Sequence, residues 1–508
     1  MAKVIYDPQT TGLISARTTW SLGRRDEAVE GFRSEARKTP FNLAAQLDFA
    51  RALGSVYRHR DARRALARLN SYRRSLPQLD LLIGQVAREI LLPDLARTHF
   101  ERFLKRQPDS PDGWLELGHL LEHFGEYPQA LDCAERVARL TPSSPLPILL
   151  RASVLSHLGR SDEARGDYQS LLARARLADG LRQRASKELA SLLDASDTAS
   201  ALELVDGVNR TIWQAHPDMI DRGRLALETN FGFVDGLDAE FAQTLIGDSP
   251  PDHPRLAFLI GFARSGTTLL EKLLAASPEI ADAEELDLFG QVVQPALVGT
   301  LKQATRSDDN ARDAVSYLRE RYLAGIRGYL GIGDERWLID KNPSNTQLCE
   351  SIFRVFPKAR FLVMLRDPRD TMISVWFQHF PPNPESVQFL NWENLARHYV
   401  KVMSRWLRLR DMLPPDQWRE VRYESMVKNP EAEMKSLGAW LGVEGPDTPQ
   451  QGQPTGFVRS PSHAAIRQPM HQNRIGRWKR PGFAERFDDR LRSILEPTLT
   501  ALGFAWDE

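Results

Sequence analysis

The sequence predicts a multidomain chain: an all-α repeat array, then an α/β domain built on a mostly parallel sheet. Three observations carry that reading. Alanine recurs every thirty-four residues at Ala28, Ala62, Ala96, Ala130 and Ala164. The apolar run Leu256-Ala257-Phe258-Leu259-Ile260 leads into a glycine-bracketed loop and then a helix-patterned segment. Strand and helix patterns alternate through the residues that follow. At 508 residues the chain also exceeds one hydrophobic core, which stops growing near roughly 250–300 residues.

Composition narrows the function classes. Basic and acidic residues balance at 67 each, so no global charge points to nucleic acid. Two cysteines, Cys133 and Cys349, cannot build a disulfide framework, and both fall in helix-patterned contexts. The N-terminal residues lack the apolar stretch of a secretion signal, and no run of about 18 apolar residues occurs. A cytoplasmic protein without a membrane span is expected. The histidines show no metal-ligand spacing, so no metal is expected.

Residues 1–200 are read as the repeat array. Four positions after the alanines stand Phe32, Leu66, Phe100, Ala134 and Tyr168, larger at four of the five sites. Twelve positions before them stand the small residues Ala16, Ala50, Gly84, Gly118 and Ala152. Pro40, Pro108 and Pro142 close three units, and Trp114-Leu115-Glu116-Leu117-Gly118 with Ala130 fits the tetratricopeptide pattern. Small residues let paired helices cross closely, and the bulkier one fills the gap to the next unit. Five units over residues 9–178 predict a right-handed solenoid whose concave surface binds a peptide or protein, packs on a neighbour or self-associates. The pattern weakens from Leu181 to Asp197. Residues 201–252 predict a capping helix and linker, exposed at Asp248-Ser249-Pro250-Pro251-Asp252.

Residues 253–508 are read as the second domain. Gly261 and Gly266 bracket the loop, and Thr267-Thr268 open the helix. Strand, glycine loop and helix N-terminus together cradle phosphate, because unpaired N–H groups and the positive end of the helix dipole face the anion. The spacing is P-loop-like, but Thr267 stands where a nucleotide triphosphatase carries lysine, and the cation is Arg264. That points to a phosphate-bearing donor other than ATP or GTP.

A short strand over Ile280–Ala283 would leave Glu284 and Glu285 at its carboxyl end. An arginine-rich helix is predicted over 309–330. A strand over Trp337–Asp340 exits into Lys341-Asn342-Pro343, followed by a helix from Ser344 to Phe356. The strand Arg360–Leu365 runs into Arg366, with Asp367 as N-cap and Pro368 in the first turn of a helix carrying Ser374. Pro381-Pro382-Asn383-Pro384 reads as a gate loop. A helix over 392–413, a strand from Trp418 to Tyr423 and a helix from Asn429 to Leu441 come next. Residues 446–472 read as a loop before the basic segment Arg474–Arg480, and a last helix spans Phe483–Ala501. Parallel sheets bind ligands beyond the carboxyl ends of their strands, so Arg264, Glu285, Lys341 and Arg366 should gather on one edge. Lys341 and Arg366 are also placed for ion pairs with Asp340 and Asp370.

In the order and spacing of these segments, the half from about 253 to 506 resembles the sulfotransferases. It is most similar to the branch holding protein-tyrosine sulfotransferases and bacterial tetratricopeptide-sulfotransferases. The matching residues are Phe262 to Thr268, Glu284-Glu285, Asp340 to Pro343, Leu365 to Asp370, and Arg422 to Glu424. The resemblance implies 3′-phosphoadenosine 5′-phosphosulfate (PAPS) as sulfuryl donor. It implies Arg264, Ser265, Gly266, Thr267 and Thr268 around the 5′-phosphosulfate, Arg366 and Ser374 on the 3′-phosphate, and Tyr423 near the adenosine. Arg477, Trp478 and Lys479 match a late loop that closes over the nucleotide.

Sulfuryl transfer spreads negative charge over bridging and equatorial oxygens, which positioned cations stabilise more in the transition state than before it. Lys341 and Arg264 suit that task, and Glu285, with Glu284 as the alternative, suits the base that takes the acceptor's proton. Acceptors consistent with this reading are a peptide tyrosine, a carbohydrate or a small molecule. A P-loop kinase or triphosphatase and a non-catalytic repeat scaffold are the competing readings.

Overall fold

A computed structural model of the chain describes residues 5–72, 76–194, 196–235, 255–303, 309–333, 335–444, 457–460, 465–467 and 472–507. The linker expected at 248–252 and most of the loop expected at 446–472 lie outside the described residues.

The first part is all helical: α1 (Thr11–Ser21), α2 (Arg25–Lys38), α3 (Leu43–Ser55), α4 (His59–Arg68), α5 (Leu79–Glu89), α6 (Pro93–Arg106), α7 (Pro111–Phe124), α8 (Tyr127–Leu140), α9 (Leu146–His157) and α10 (Ser161–Leu172). Thr10, Asn42 and Ser110 cap three of these by accepting backbone N–H groups from Leu13, Ala44 and Gly113. Helices pack in sequential pairs, α1 with α2 through α7 with α8.

The repeat register is visible in the packing. Ala28, Ala62, Ala96, Ala130 and Ala164 are all 0 % exposed, and Phe32, Leu66, Phe100 and Tyr168 are buried one turn on. A Cβ added at Gly84 would lie 2.4 Å from the Phe100 ring, and one at Gly118 2.7 Å from Leu150. Gly84→Ala is therefore expected to destabilise its unit by about 1–3 kcal/mol despite alanine's better helix propensity, read as a lower urea midpoint at unchanged m-value.

Beyond the repeats stand three further helices: α11 (Asp179–Leu193), α12 (Thr198–Ala215) and α13 (Pro217–Asp235). The single capping helix expected after residue 200 is thus two, because Pro217 has no N–H to continue α12 and opens α13 instead.

Two compact units are present, one of residues Met1–Val154 with Arg321–Ile332, the other of Leu155–Glu320 with Gly333–Glu508. Within the first, Arg321 pairs with Asp26 at 2.7 Å and the His59 and Tyr329 rings lie 4.7 Å apart.

The second unit holds a parallel five-stranded sheet in the order β2-β3-β1-β4-β5. Its strands are β1 (Leu256–Gly261), β2 (Ile280–Asp282), β3 (Trp337–Lys341), β4 (Arg360–Leu365) and β5 (Trp418–Arg422). Every residue of β1 and β3 is buried, which accounts for the apolar run of β1 and of Trp337-Leu338-Ile339 in β3. Helix α14 (Thr267–Leu274) follows β1. Next come α15 (Gln294–Gln303), α16 (Asp309–Leu330), α17 (Cys349–Val355), α18 (Pro368–Phe377), α19 (Trp392–Arg410), α20 (Tyr423–Lys428), α21 (Pro430–Leu441) and α22 (Asp489–Ala501). No helix among the described residues is long and apolar enough to cross a membrane.

Three boundaries differ from the sequence pattern. The helix expected from Ser344 begins as a tight turn over Pro343–Leu348, since Asn342 accepts the Ser344 N–H and Thr346 is held by both backbone groups of Gly261. The last helix starts at Asp489, where Asp488 caps it by accepting from Leu491 N. Strand β5 ends at Arg422, and Tyr423 opens α20.

Candidate active site

The sheet register sets the site. Leu259 pairs with Lys341, Gly261 with Met364, Leu365 with Arg422 and Asp282 with Ile339, so the exits of all five strands share one edge. The loop after β1 turns through two glycines with left-handed backbone, Gly261 at φ 145° and Gly266 at φ 111°. A side chain at either would also collide, with the Met364 carbonyl at 2.5 Å and the Tyr423 ring at 2.7 Å. Gly266 is the N-cap of α14, and Thr267 and Thr268 in the first turn are buried. Ser265 is 2 % exposed, and its Oγ has no hydrogen-bond partner. A buried orphan hydroxyl at the mouth of a helix N-terminus is the arrangement an anion would complete.

Lys341, the last residue of β3, is 1 % exposed. Its Nζ lies 2.7 Å from Glu285 Oε1, 3.3 Å from Glu271 Oε2 and 3.5 Å from Thr268 Oγ1. Burial disfavours the ammonium, but the two carboxylates outweigh it and hold Lys341 above the ordinary lysine range. Burial likewise pushes Glu285 up; the Lys341 charge and hydrogen bond, with help from Ser460 and Arg459, reverse that and leave it below the ordinary carboxylate range. Its neighbour Glu284 adopts a left-handed backbone at φ 51° and joins Asp282 on Lys272, at 2.9 Å and 2.6 Å. Of the two adjacent acids, Glu285 is the one that pairs with Lys341.

Arg264 stands at φ 69° in that loop, and its Nε donates to Ser374 Oγ at 3.3 Å. Burial, together with the charges of Arg474 and Arg366, lowers it to about 10, so it stays cationic at neutral pH. Arg366 donates to the Arg264 carbonyl at 3.3 Å and to the Arg474 carbonyl at 2.7 Å, and lies 4.6 Å over the Tyr423 ring. The ion pair with Asp370 is present but long, at 4.0 Å, and Arg366 Nε is a buried donor without an acceptor. Like Ser265 Oγ, it suits a bound anion.

The late basic segment joins this edge through Asp370. The backbone N–H groups of Gly476 and Trp478 donate to its two oxygens at 2.7 Å and 2.9 Å. Burial raises Asp370 to about 6 against the pull of Arg366. The three side chains expected to close over a nucleotide are disposed differently from one another. Arg477 pairs with Asp194 of the segment after α11 at 3.0 Å and lies 4.6 Å over the Phe377 ring. The Trp478 ring lies 3.4 Å under the Arg369 guanidinium. Lys479 is exposed and 5.4 Å from that same ring.

The structure thus brings Arg264, Ser265, Gly266, Thr267, Thr268, Glu285, Lys341, Arg366, Ser374 and Tyr423 to one edge. It adds residues that sequence reasoning passed over: Glu271 on Lys341, Ser460 on Thr268 at 3.0 Å, and Arg459, which donates to the Glu285 carbonyl. Only Glu271 left a trace in the sequence, as an acid inside the apolar stretch one turn after Thr267-Thr268. Among the described residues, no group of three or more His, Cys, Asp or Glu side chains is arranged to hold a metal ion.

Residues 257–447 match the model of the sulfotransferase family, and residues 81–145 match a tetratricopeptide repeat. An uncharacterized protein of Aquifex aeolicus is 23 % identical over 407 residues, covering 76 % of this chain and 50 % of its own length. Protein-tyrosine sulfotransferase 2 of Gallus gallus is 28 % identical over 207 residues, 38 % of this chain and 52 % of its own. The chain therefore spans about half the length of the curated relatives it matches. A solved sulfotransferase domain from the curacin biosynthetic pathway aligns at TM-score 0.36 and 17 % identity over 51 % of this chain and 99 % of its own. Residues 257–447 are thus similar to the sulfotransferase family and residues 81–145 to a tetratricopeptide repeat, and the relatives include proteins named protein-tyrosine sulfotransferase.

Proposed function

We propose that this edge transfers a sulfuryl group from PAPS to an acceptor hydroxyl, with a peptide tyrosine as the leading acceptor. The observation that carries the reading is the buried Lys341–Glu285 pair at 2.7 Å beside the glycine loop. A buried cation facing an anion cradle, with a carboxylate on its other side, is what the transfer needs in one place.

In this reading the loop N–H groups, Ser265, Thr267 and Thr268 hold the 5′-phosphosulfate. Arg366 and Ser374 hold the 3′-phosphate beside Tyr423, and the segment Arg477–Lys479 borders the nucleotide. Glu285 takes the proton as the acceptor O–H bond breaks and the acceptor oxygen bonds sulfur. The bond from sulfur to the phosphate oxygen breaks, and its electron pair stays on the phosphate, facing Lys341 and Arg264. No metal is required, since these cations carry the charge stabilisation. The relatives named protein-tyrosine sulfotransferase support the tyrosine acceptor, and the repeat array is suited to hold the acceptor segment or a partner.

The desulfated product, 3′-phosphoadenosine 5′-phosphate (PAP), is expected to raise the melting temperature, while ATP with magnesium is not. Ligand at about 100 times its Kd should stabilise by about 2.7 kcal/mol, several degrees in a thermal scan. Stabilisation by ATP with magnesium and none by PAP would turn the reading to a kinase.

A further inference from the structure

The described reaction uses one carboxylate beside Lys341, yet the structure places two there. Glu271 projects from α14 one turn after Thr267 and Thr268 and is 1 % exposed. Neither of its oxygens makes a hydrogen bond, although Lys341 Nζ stands 3.3 Å from Oε2. Glu285 shares the same ammonium at 2.7 Å and is 25 % exposed. Two carboxylates on one buried cation cannot both stay ionised at little cost, and the more deeply buried one should carry the proton. Were both ionised, the trio would present a net negative charge to a donor that is itself an anion.

We propose that Glu271 is a positioning residue that holds Lys341 at the glycine loop in its protonated form, leaving the ammonium's charge to Glu285 and then to the donor. The inference rests on the sulfotransferase reading above. Its consequence is linkage: the anionic donor binds the protein that carries a proton on Glu271, so donor binding above neutral pH takes up a proton.

Several charged groups surround Glu271. Burial pushes it up to about 8, Lys341 and Lys272 pull it down, and Asp282 and Glu284 push it further up. Lys341 reaches it from β3, Asp282 and Glu284 from the end of β2, Lys272 from α14 itself, and Glu285 acts through the shared ammonium. A bound anion draws Lys341 toward itself and adds negative charge, and both effects raise Glu271 again. Lys341 is held above the ordinary lysine range and stays charged throughout.

The test is calorimetry of PAP binding at pH 8.5 in buffers of different ionisation enthalpy, which counts protons taken up. Wild-type protein should take up on the order of half a proton per PAP, and Glu271→Gln, the neutral isostere, essentially none. Glu271→Gln should also keep its PAP affinity from pH 7 to 9, while wild-type affinity falls severalfold. If Glu271→Gln does not fold, Glu285→Gln serves: with the competing carboxylate gone, Glu271 pairs with Lys341 alone and the proton uptake moves to lower pH. Equal uptake in wild type and Glu271→Gln, or none in wild type, overturns the inference while PAP binding stands. Wild-type protein that binds no PAP overturns the sulfotransferase reading and this inference with it.

Discussion

Lys341→Met is expected to cut sulfuryl transfer by about 10²–10³-fold. Met keeps the length and most of the apolar stem of Lys341 but removes the one ammonium that faces both Thr268 and Glu285. The lost interaction is with charge that develops as the bond from sulfur to the phosphate oxygen breaks, so kcat should fall further than donor affinity. Breaking a buried pair also lowers stability, by about 3–5 kcal/mol when a charge is left uncompensated. That penalty is softened here because Glu271 can keep its proton and Glu285 is one-quarter exposed. Turnover is to be measured at a temperature where circular dichroism shows the variant folded. Unchanged kcat in a folded variant would remove Lys341 from the reaction.

Glu285→Gln is expected to lower kcat by about 10²–10⁴-fold, the range for a positioned general base. Donor affinity should hold or rise, because the change removes a negative charge from beside an anion site. The accompanying pH profile has a definite sign. Glu285 must be ionised to accept a proton, and Lys341, Ser460 and Arg459 hold it below the ordinary carboxylate range. The acid limb of wild-type kcat/KM should therefore lie below the ordinary carboxylate range, and Glu285→Gln should lose that limb. The same pair ties stability to pH: its contribution is complete above the unfolded carboxylate value and is lost as pH falls through the lower folded one.

The sheet and the repeats were legible because each rests on a period. Ala28 to Ala164 recur at one helical-repeat spacing, and all five end up fully buried. The strands β1, β3 and β4 read as apolar runs because both their faces are covered. Once those strands are parallel, the residues at their exits must share an edge, and Arg264, Glu285, Lys341 and Arg366 do so.

What the sequence hid is set by long-range contacts. Locally Glu271 is only an acid inside an apolar stretch; the arrival of β3 makes it a partner of Lys341. The turn at Pro343–Leu348 is shaped by the hold of Gly261 on Thr346, across eighty-five positions of chain. Arg477 reads as part of a loop closing over the nucleotide, yet Asp194, far earlier in the chain, pairs with it. Sequence reasoning passed over Lys187, yet it is 5 % exposed, donates to the Gln378 carbonyl at 3.0 Å, and burial lowers it to about 7.

The most direct test is transfer of label from sulfur-35 PAPS by wild-type protein and by Glu285→Gln, against pooled peptides, glycans and metabolites. Labelled product and PAP in equal amounts from wild type, with product lost and PAP binding kept in Glu285→Gln, is the result predicted here. Equal labelling by both proteins, or no binding of the donor by either, would contradict a sulfuryl transfer run from the Lys341–Glu285 edge.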